Sequence, residues 1–301
     1  MKLYISIFIA FLTFGFDLSF QSISKEIKLE IPKLKLNEVI INHYAYSLSY
    51  NEQHEQANWV AYELTKEELK SVCKRSNNFN IDPLVKTGSA ENEDYKGSGY
   101  DRGHLAPAGD NTWSKIAMEE SFYYSNMSPQ DKHFNRGIWK NLEELVREWT
   151  NENNSLYIVT GPILSNNLKS IGANKVSIPN FFYKVILDYN QPNIKSIGFI
   201  IPNKDSKNSL DKFVVSIDSL EKVTGYDFFY QLPDSVENRL EKKLNTKEWN
   251  WKIDQKKSAT NLDKKTIESV QCLGTTKKGN RCVNKTLNSS GYCKDHLNQK
   301  P

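Results

Sequence analysis

The stretch Tyr100-Asp101-Arg102-Gly103-His104-Leu105-Ala106-Pro107-Ala108-Gly109-Asp110 sets a cation and an imidazole on either side of a glycine. It then turns through Pro107 and Gly109. Downstream, Asn126-Met127-Ser128-Pro129-Gln130 runs into Asn135-Arg136-Gly137-Ile138-Trp139 and Glu143. From Phe134 to Thr150, the residues Trp139, Leu142, Leu145, Val146 and Trp149 recur at helical spacing, which predicts a helix. On that helix Asn135, Glu143 and Arg147 share roughly one face, with Glu143 and Arg147 at the ion-pair spacing.

These residue types suit the hydrolysis of a phosphodiester, which needs an activated water, charge neutralisation at phosphorus and a stabilised leaving oxygen. His104 serves as general base, since an imidazole titrating near about 6.5 is available at working pH; a hydrogen-bonded structural histidine is the alternative. Asn135 offers an amide oxygen to a hard cation such as Mg²⁺, which keeps most of its waters; capping a helix start is the competing role. Arg102 and Arg75 are candidate phosphate clamps, although a solvated arginine is the ordinary case. Asn126 and Gln130 bracket Ser128-Pro129 and could bind phosphate, hold the His104 loop or form a turn. Glu143 with Arg147 also reads as a solvated salt bridge.

Upstream, alternation at Tyr44, Tyr46, Leu48 and Tyr50 predicts a strand, and Asn58 to Leu64 a second. Thr65-Lys66-Glu67-Glu68-Leu69 opens a turn or short helix, and residues 74–99 read as loop. Lys115 to Tyr124 is short and amphipathic, with Ile116, Met118 and Phe122 on one side. Beyond the long helix, Leu156 to Thr160, Phe181 to Asp188 and Ile197 to Ile201 are strand-like, and Leu210 to Val223 looks helical with Gly225 as its cap.

The chain has 301 residues, 38% of them hydrophobic and 25% charged, which suits one large domain and an appendage. A net charge of +4 is compatible with a polyanionic substrate but too mild to select one. Met1-Lys2 followed by apolar Leu3 to Phe16 reads as a secretory signal peptide over 1–22, short for a membrane span; an uncleaved anchor is the alternative. A signal peptide implies a secreted or periplasmic protein without stable membrane association after cleavage. Residues 23–55 form a polar leader, and 235–269 a polar linker rich in lysine, glutamate and asparagine.

Residues 270–301 hold Cys272, Cys282, Cys293 and His296 as C-x₉-C-x₁₀-C-x₂-H, a ligand set for tetrahedral Zn²⁺. A disulfide is the rival reading and leaves one tail cysteine over unless Cys73 pairs with it. The segment Thr275 to Cys282 and Gly291-Tyr292-Cys293 resembles small zinc-binding tails on other microbial proteins. Such a tail is either a nucleic-acid grip through Lys277, Lys278 and Arg281 or a folding staple.

Asp101-Arg102-Gly103-His104, Asn126-x-x-Pro129-Gln130 and Asn135-x-x-x-Trp139-x-x-x-Glu143 resemble the DNA/RNA non-specific endonuclease family, which includes mitochondrial endonuclease G. The likeness extends through Asn58-Trp59-Val60, Tyr95-x-Gly97-Ser98-Gly99-Tyr100, Thr160-Gly161-Pro162, Ile178-Pro179-x-Phe181-Phe182-x-Lys184-Val185 and Phe213-Val214-Val215, in order across about residues 57–232. It implies an α+β, mixed α/β nuclease scaffold over 56–234 with a ββα-metal motif, in which a strand pair delivers the histidine and a helix the asparagine. By resemblance His104 is the general base and Asn135 the ligand of Mg²⁺ (or Mn²⁺). Arg102, Asn126, Glu143 and Arg147 hold supporting positions, and Arg75 stands where a phosphate-binding arginine is expected. The resemblance further implies cleavage of DNA and RNA to 5′-phosphorylated fragments, a homodimer and, as a candidate partner, an inhibitor protein. A secretory leader and the cysteine tail depart from the family. A second reading, a non-catalytic nucleic-acid-binding protein on the same scaffold with a zinc tail, differs in predicting salt-sensitive binding without cleavage.

Overall fold

In the computed structural model, described for residues 28–244, 246–252, 270–276, 279–286, 292, 293, 296 and 299, one antiparallel sheet positions the site. Its first strands are β1 (Ile41–Asn42), β2 (Ser47–Asn51) and β3 (Gln56–Thr65). A loop with one short helix, α1 (Asn92–Tyr95), leads to β4 (Asp101–His104). After α2 (Lys115–Glu120) comes β5 (Met127–Gln130), which pairs antiparallel with β4 as a separate ribbon. Then follow α3 (Lys132–Phe134), α4 (Lys140–Asn153), β6 (Ser155–Pro162), the small β7 (Ser170–Ile171) and β8 (Val176–Ser177), β9 (Phe181–Asp188) and β10 (Lys195–Pro202). The chain continues through β11 (Val214–Val215), α5 (Ile217–Thr224) and α6 (Asp234–Lys242). Strand order in the main sheet is β1-β2-β3-β6-β9-β10-β11.

The central strands are apolar on both faces because both are covered. Every residue from Phe182 to Asp188 is buried, the continuous pattern of a strand with no solvent side. On one face Trp59, Val159, Val185 and Leu187 pack with Ile217 and Leu220 of α5 and with Phe228. Gly198 lets α5 approach, since a Cβ there would sit 2.5 Å from Leu220 Cδ1. On the other face Phe182 meets Phe134 and Trp139 at ring separations of 5.3 and 5.7 Å, and Phe199 meets Trp149 at 6.3 Å. The amphipathic stripe read from Trp139 to Trp149 is thus the face that docks on the sheet.

Several sequence expectations change. The leader over 23–55 is part of the fold from Leu29 onward: Leu29 and Ile31 are buried in the core, and β1 and β2 form the sheet edge. Of the two readings for Thr65 to Leu69, the turn is the one formed, with Thr65 N donating to Glu68 Oε2 at 2.8 Å. Ile116 is exposed while Met118 and Phe122 are buried, so the three do not share a side. Leu210 to Val223 divides into a 3₁₀ turn, the edge strand β11 and α5, with Gly225 as the left-handed cap accepting its predicted place. The linker over 235–269 begins as α6, and Trp249 packs on Trp149 at 4.5 Å, so the chain stays on the domain to Asn250. The structure divides into two units between Asn250 and Trp251. The second contains the ribbon of β12 (Val270–Gln271) and β13 (Lys285–Thr286). The signal peptide, residues 253–269 of the linker, Lys277, Lys278 and Gly291 lie outside the described residues. No described helix is long and apolar enough to cross a membrane.

Candidate active site

The β4–β5 ribbon and the helix that follows it form one wall each of a cleft of about 530 Å³, lined by residues that include Arg75, Arg102, His104, Asn135, Glu143 and Arg147. Asp101, Arg136 and Lys140 also line it, giving five basic side chains against two carboxylates. A surplus of positive charge in a concave site is suited to a polyanion.

His104 ends β4 and is only 7% exposed, set edge-on to Phe122 at 4.8 Å. Nε2 has no hydrogen-bond partner among the described residues. The backbone of Arg102 favours the tautomer with the proton on Nδ1, in which the Nε2 lone pair is free. Burial, aided by the nearby Arg75 cation, pushes the imidazole down to about 3, so it is neutral across the physiological range.

Asn126 explains how that loop is held. Its Oδ1 accepts from Ala106 N at 2.9 Å, and its Nδ2 donates to Ala106 O at 2.9 Å and Ser121 O at 2.8 Å. It is fully buried and does not line the cleft. Of the alternatives for Asn126, holding the His104 loop is the one the structure displays. Gln130 likewise is buried and does not line the cleft: it pairs across from Asp101, and its side chain fills the space beside Gly103, where a Cβ would stand 2.0 Å from Gln130 Cδ. The substrate-binding reading of Gln130 is therefore corrected to packing.

Asn135 stands where the helix is interrupted. Asp131 caps α3 by accepting from His133 N and Phe134 N, and a wide π turn, Asn135–Trp139, with non-helical Gly137 separates α3 from α4. In an unbroken α-helix eight steps of about 100° leave Asn135 and Glu143 roughly 80° apart. The wide turn and kink re-aim the segment, and both residues line the cleft. Asn135 Nδ2 donates to Asp101 Oδ2 at 3.0 Å, and Arg136 grips the same carboxylate with two bonds of 2.8 Å. Burial alone would raise the Asp101 carboxyl, but these donors outweigh it and hold the group below its usual range.

The expected Glu143–Arg147 ion pair does not form. Arg147 Nη1 instead donates to buried Asp110 at 2.7 Å, and Tyr62 Oη donates to the other Asp110 oxygen at 2.9 Å. Glu143 has no hydrogen-bond or ion-pair partner among the described residues; burial pushes its carboxyl up to about 7, with Arg147 and Lys184 opposing. Arg102 is fixed by bonds to Tyr124 Oη at 3.1 Å and Asn92 Oδ1 at 2.5 Å. Exposed Arg75 lies on the rim with its guanidinium 4.9 Å from the Phe122 ring.

Asp101, Asp110 and Lys184 were not among the residues predicted to form the site. Lys184 is 1% exposed, its Nζ makes no hydrogen bond among the described residues, and it lies 4.9 Å from the Trp139 ring centre. A lone lysine inside the apolar run Phe181 to Leu187 was the available signal.

Asn135 offers an amide oxygen with no hydrogen-bond partner among the described residues, and the Glu143 carboxylate lines the same cleft; such oxygen donors fit a hard, largely hydrated cation. No group of three His, Cys, Asp or Glu ligands gathers in the cleft among the described residues.

A family model described as DNA/RNA non-specific endonuclease matches residues 25–235. The chain is 37% identical over 199 residues to "Nuclease EXOG, mitochondrial" of Danio rerio, covering 60% of this chain and 58% of that protein. It is 36% identical over 199 residues to "Endonuclease G, mitochondrial" of Homo sapiens, covering 61% and 67%. With "Nuclease C1" of Cunninghamella echinulata var. echinulata it shares 38% identity over 209 residues, covering 64% and 83%. The chain thus spans less than two thirds of the Danio rerio and Mus musculus EXOG nucleases, 58% of each. A chain in the crystal structure of the EndoG/EndoGI complex superposes with a TM-score of 0.62 at 33% identity, covering 67% of this chain and 89% of that one.

Proposed function

The chain belongs to the DNA/RNA non-specific endonuclease family, and from that premise we propose that it hydrolyses phosphodiester bonds in both DNA and RNA. The observation carrying the reading is that, among the described residues, His104 Nε2 and the Asn135 amide oxygen have no hydrogen-bond partner, and both residues line one basic cleft.

In this reading His104 Nε2 takes a proton from water as the water oxygen bonds to phosphorus. The bond from phosphorus to the 3′ oxygen breaks, that oxygen takes a proton from solvent water, and a 5′-phosphate and a 3′-hydroxyl are left; the proton on His104 returns to solvent. Arg75 and Arg102 orient the phosphate, and Arg147, braced by Asp110, faces the charge that develops. Asn135 would hold Mg²⁺ or Mn²⁺, with Glu143 as a water-mediated support. When bound, the cation supplies positive charge against the developing phosphorane and the departing oxygen.

The apolar stretch Leu3 to Phe16 supports export from the cytoplasm. An inhibitor protein is a proposed partner because a structural relative was solved as the EndoG/EndoGI complex, and a homodimer is proposed from the family resemblance. Incubating the protein with plasmid DNA and with RNA, with Mg²⁺ and with EDTA, tests the activity. Cleavage of both polymers that stops with EDTA is expected; retarded but intact nucleic acid in the presence of Mg²⁺ would overturn the enzymatic reading.

A further inference from the structure

The second unit has a core made of its own cysteines. Among the described residues, Cys272, Cys282 and Cys293 form the buried cluster of that unit. About thirty residues cannot bury enough apolar surface to fold alone, and such small units depend on disulfides, metals or association. These cysteines are free, with the Cys282 and Cys293 sulfurs 4.0 Å apart where a disulfide needs about 2.05 Å, and Cys73 lies in the first unit with its Sγ directed at Thr112 O.

Distances between the four candidate donors match a metal tetrahedron. Zn–S bonds of about 2.3 Å and Zn–N bonds of about 2.0 Å set edges of about 3.8 Å between sulfurs and about 3.5 Å from sulfur to nitrogen. Cys282 Sγ and Cys293 Sγ are 4.0 Å apart. His296 Nδ1 lies 3.6 Å from Cys272 Sγ and 3.4 Å from Cys293 Sγ. All four donor atoms fall within 4.8 Å of one another.

The surrounding backbone suits thiolates. Cys272 Sγ accepts from Cys293 N at 3.1 Å and from Gly274 N at 3.3 Å, which stabilises negative charge on sulfur. Gly274 also makes room for the histidine, since a Cβ there would stand 2.4 Å from His296 Cβ. The bonds Cys272 N to Asn284 O and Cys282 N to Gly274 O, both 2.8 Å, bring the first two cysteines together.

We propose that Cys272, Cys282, Cys293 and His296 bind one Zn²⁺ through three sulfurs and the histidine Nδ1, and that this ion holds the C-terminal unit in its fold. Four protein ligands leave no open position, so the site is structural and not catalytic. Each thiol surrenders its proton to solvent on binding, and zinc stays divalent throughout.

The test uses the purified full chain under reducing conditions, with zinc measured by elemental analysis and Co²⁺ as an optical probe. One zinc per chain is expected, together with intense Co²⁺ absorption typical of tetrahedral thiolate ligation. Cys282→Ser abolishes stoichiometric zinc, and Cys73→Ser retains it. Because loss of a ligand can unfold the unit, His296→Cys provides the independent check: it keeps one metal and shifts the Co²⁺ spectrum to longer wavelength as a fourth sulfur enters. Gly274→Ala weakens zinc binding at least tenfold. Sub-stoichiometric zinc, iron in its place, a Co²⁺ spectrum without thiolate bands, or a His296→Cys spectrum identical to wild type would each overturn the proposal.

Discussion

The Asn135 amide is oriented by Asp101: its nitrogen donates to Asp101 Oδ2 at 3.0 Å, which leaves its oxygen free. Arg136 holds Asp101 at the same time through two 2.8 Å bonds. Asp101→Leu removes the acceptor that distinguishes the two ends of the amide. The variant is expected to need roughly 10–100-fold more Mg²⁺ for half-maximal cleavage, with excess Mg²⁺ restoring much of the rate. An unchanged Mg²⁺ dependence would show that Asp101 does not orient the ligand.

His104 yields a prediction separable from catalysis. Its folded value of about 3 lies below the unfolded value of about 6.5. The unfolded chain therefore takes up a proton that the folded protein rejects. The stability it contributes is complete above about pH 6.5 and is lost as pH falls toward 3, at a rate of about 1.4 kcal/mol per unit between those limits. His104→Ala should lose roughly 10²–10⁴-fold in rate. Denaturant titrations should show the wild type losing on the order of 3 kcal/mol more than this variant between about pH 7 and pH 4. Parallel stability curves would mean that His104 titrates normally.

Much of this site was readable because its chemistry is local. The residues on Asp101 to His104 and on the helix from Asn135 to Arg147 carry their own spacing, and the strand Phe181 to Asp188 is defined by its apolar run. What was hidden depends on distant partners. Asn126 has the same amide whether it faces phosphate or Ala106, and only folding shows it bonded to that backbone. Glu143 stands at helical spacing from Arg147, yet buried Asp110, thirty-seven residues earlier, takes the guanidinium. The wide turn at Asn135–Trp139 leaves no periodic mark strong enough to separate it from the helix it joins.

Lys184 is expected to tune Glu143. Burial lowers the ammonium to about 8 and raises the Glu143 carboxyl to about 7, while each charge favours the other. Lys184→Met removes a cation that helps keep Glu143 ionised. The Glu143 carboxyl then protonates at higher pH, and the acid limb of kcat/KM shifts upward. The stability sign is the reverse of a paired lysine: the folded value lies below the unfolded value of about 10.4. The contribution is full above that value and declines as pH falls through 8, so methionine should be no less stable at neutral pH. A lower Tm with an unmoved pH profile would make Lys184 a packing residue alone.

Trp249 should belong to the stability of the nuclease unit despite lying in a polar, lysine-rich stretch. Its ring meets Trp149 of α4 at 4.5 Å, and Lys195 Nζ lies 4.7 Å from its centre. The neighbouring Asn250 carbonyl accepts from Trp149 Nε1 at 2.5 Å. Trp149 in turn stacks on Phe199 of the central sheet, so the segment closes the outer side of the helix that carries Glu143 and Arg147. Trp249→Ala opens a cavity against α4 and should cost about 3–5 kcal/mol in urea titrations. At low temperature, where the variant is folded, kcat should stay within about twofold of wild type, because Trp249 does not line the cleft. A cost below about 1 kcal/mol would mean that the chain from α6 to Asn250 only rests on the domain, and a large fall in kcat with normal stability would place Trp249 in the catalytic machinery.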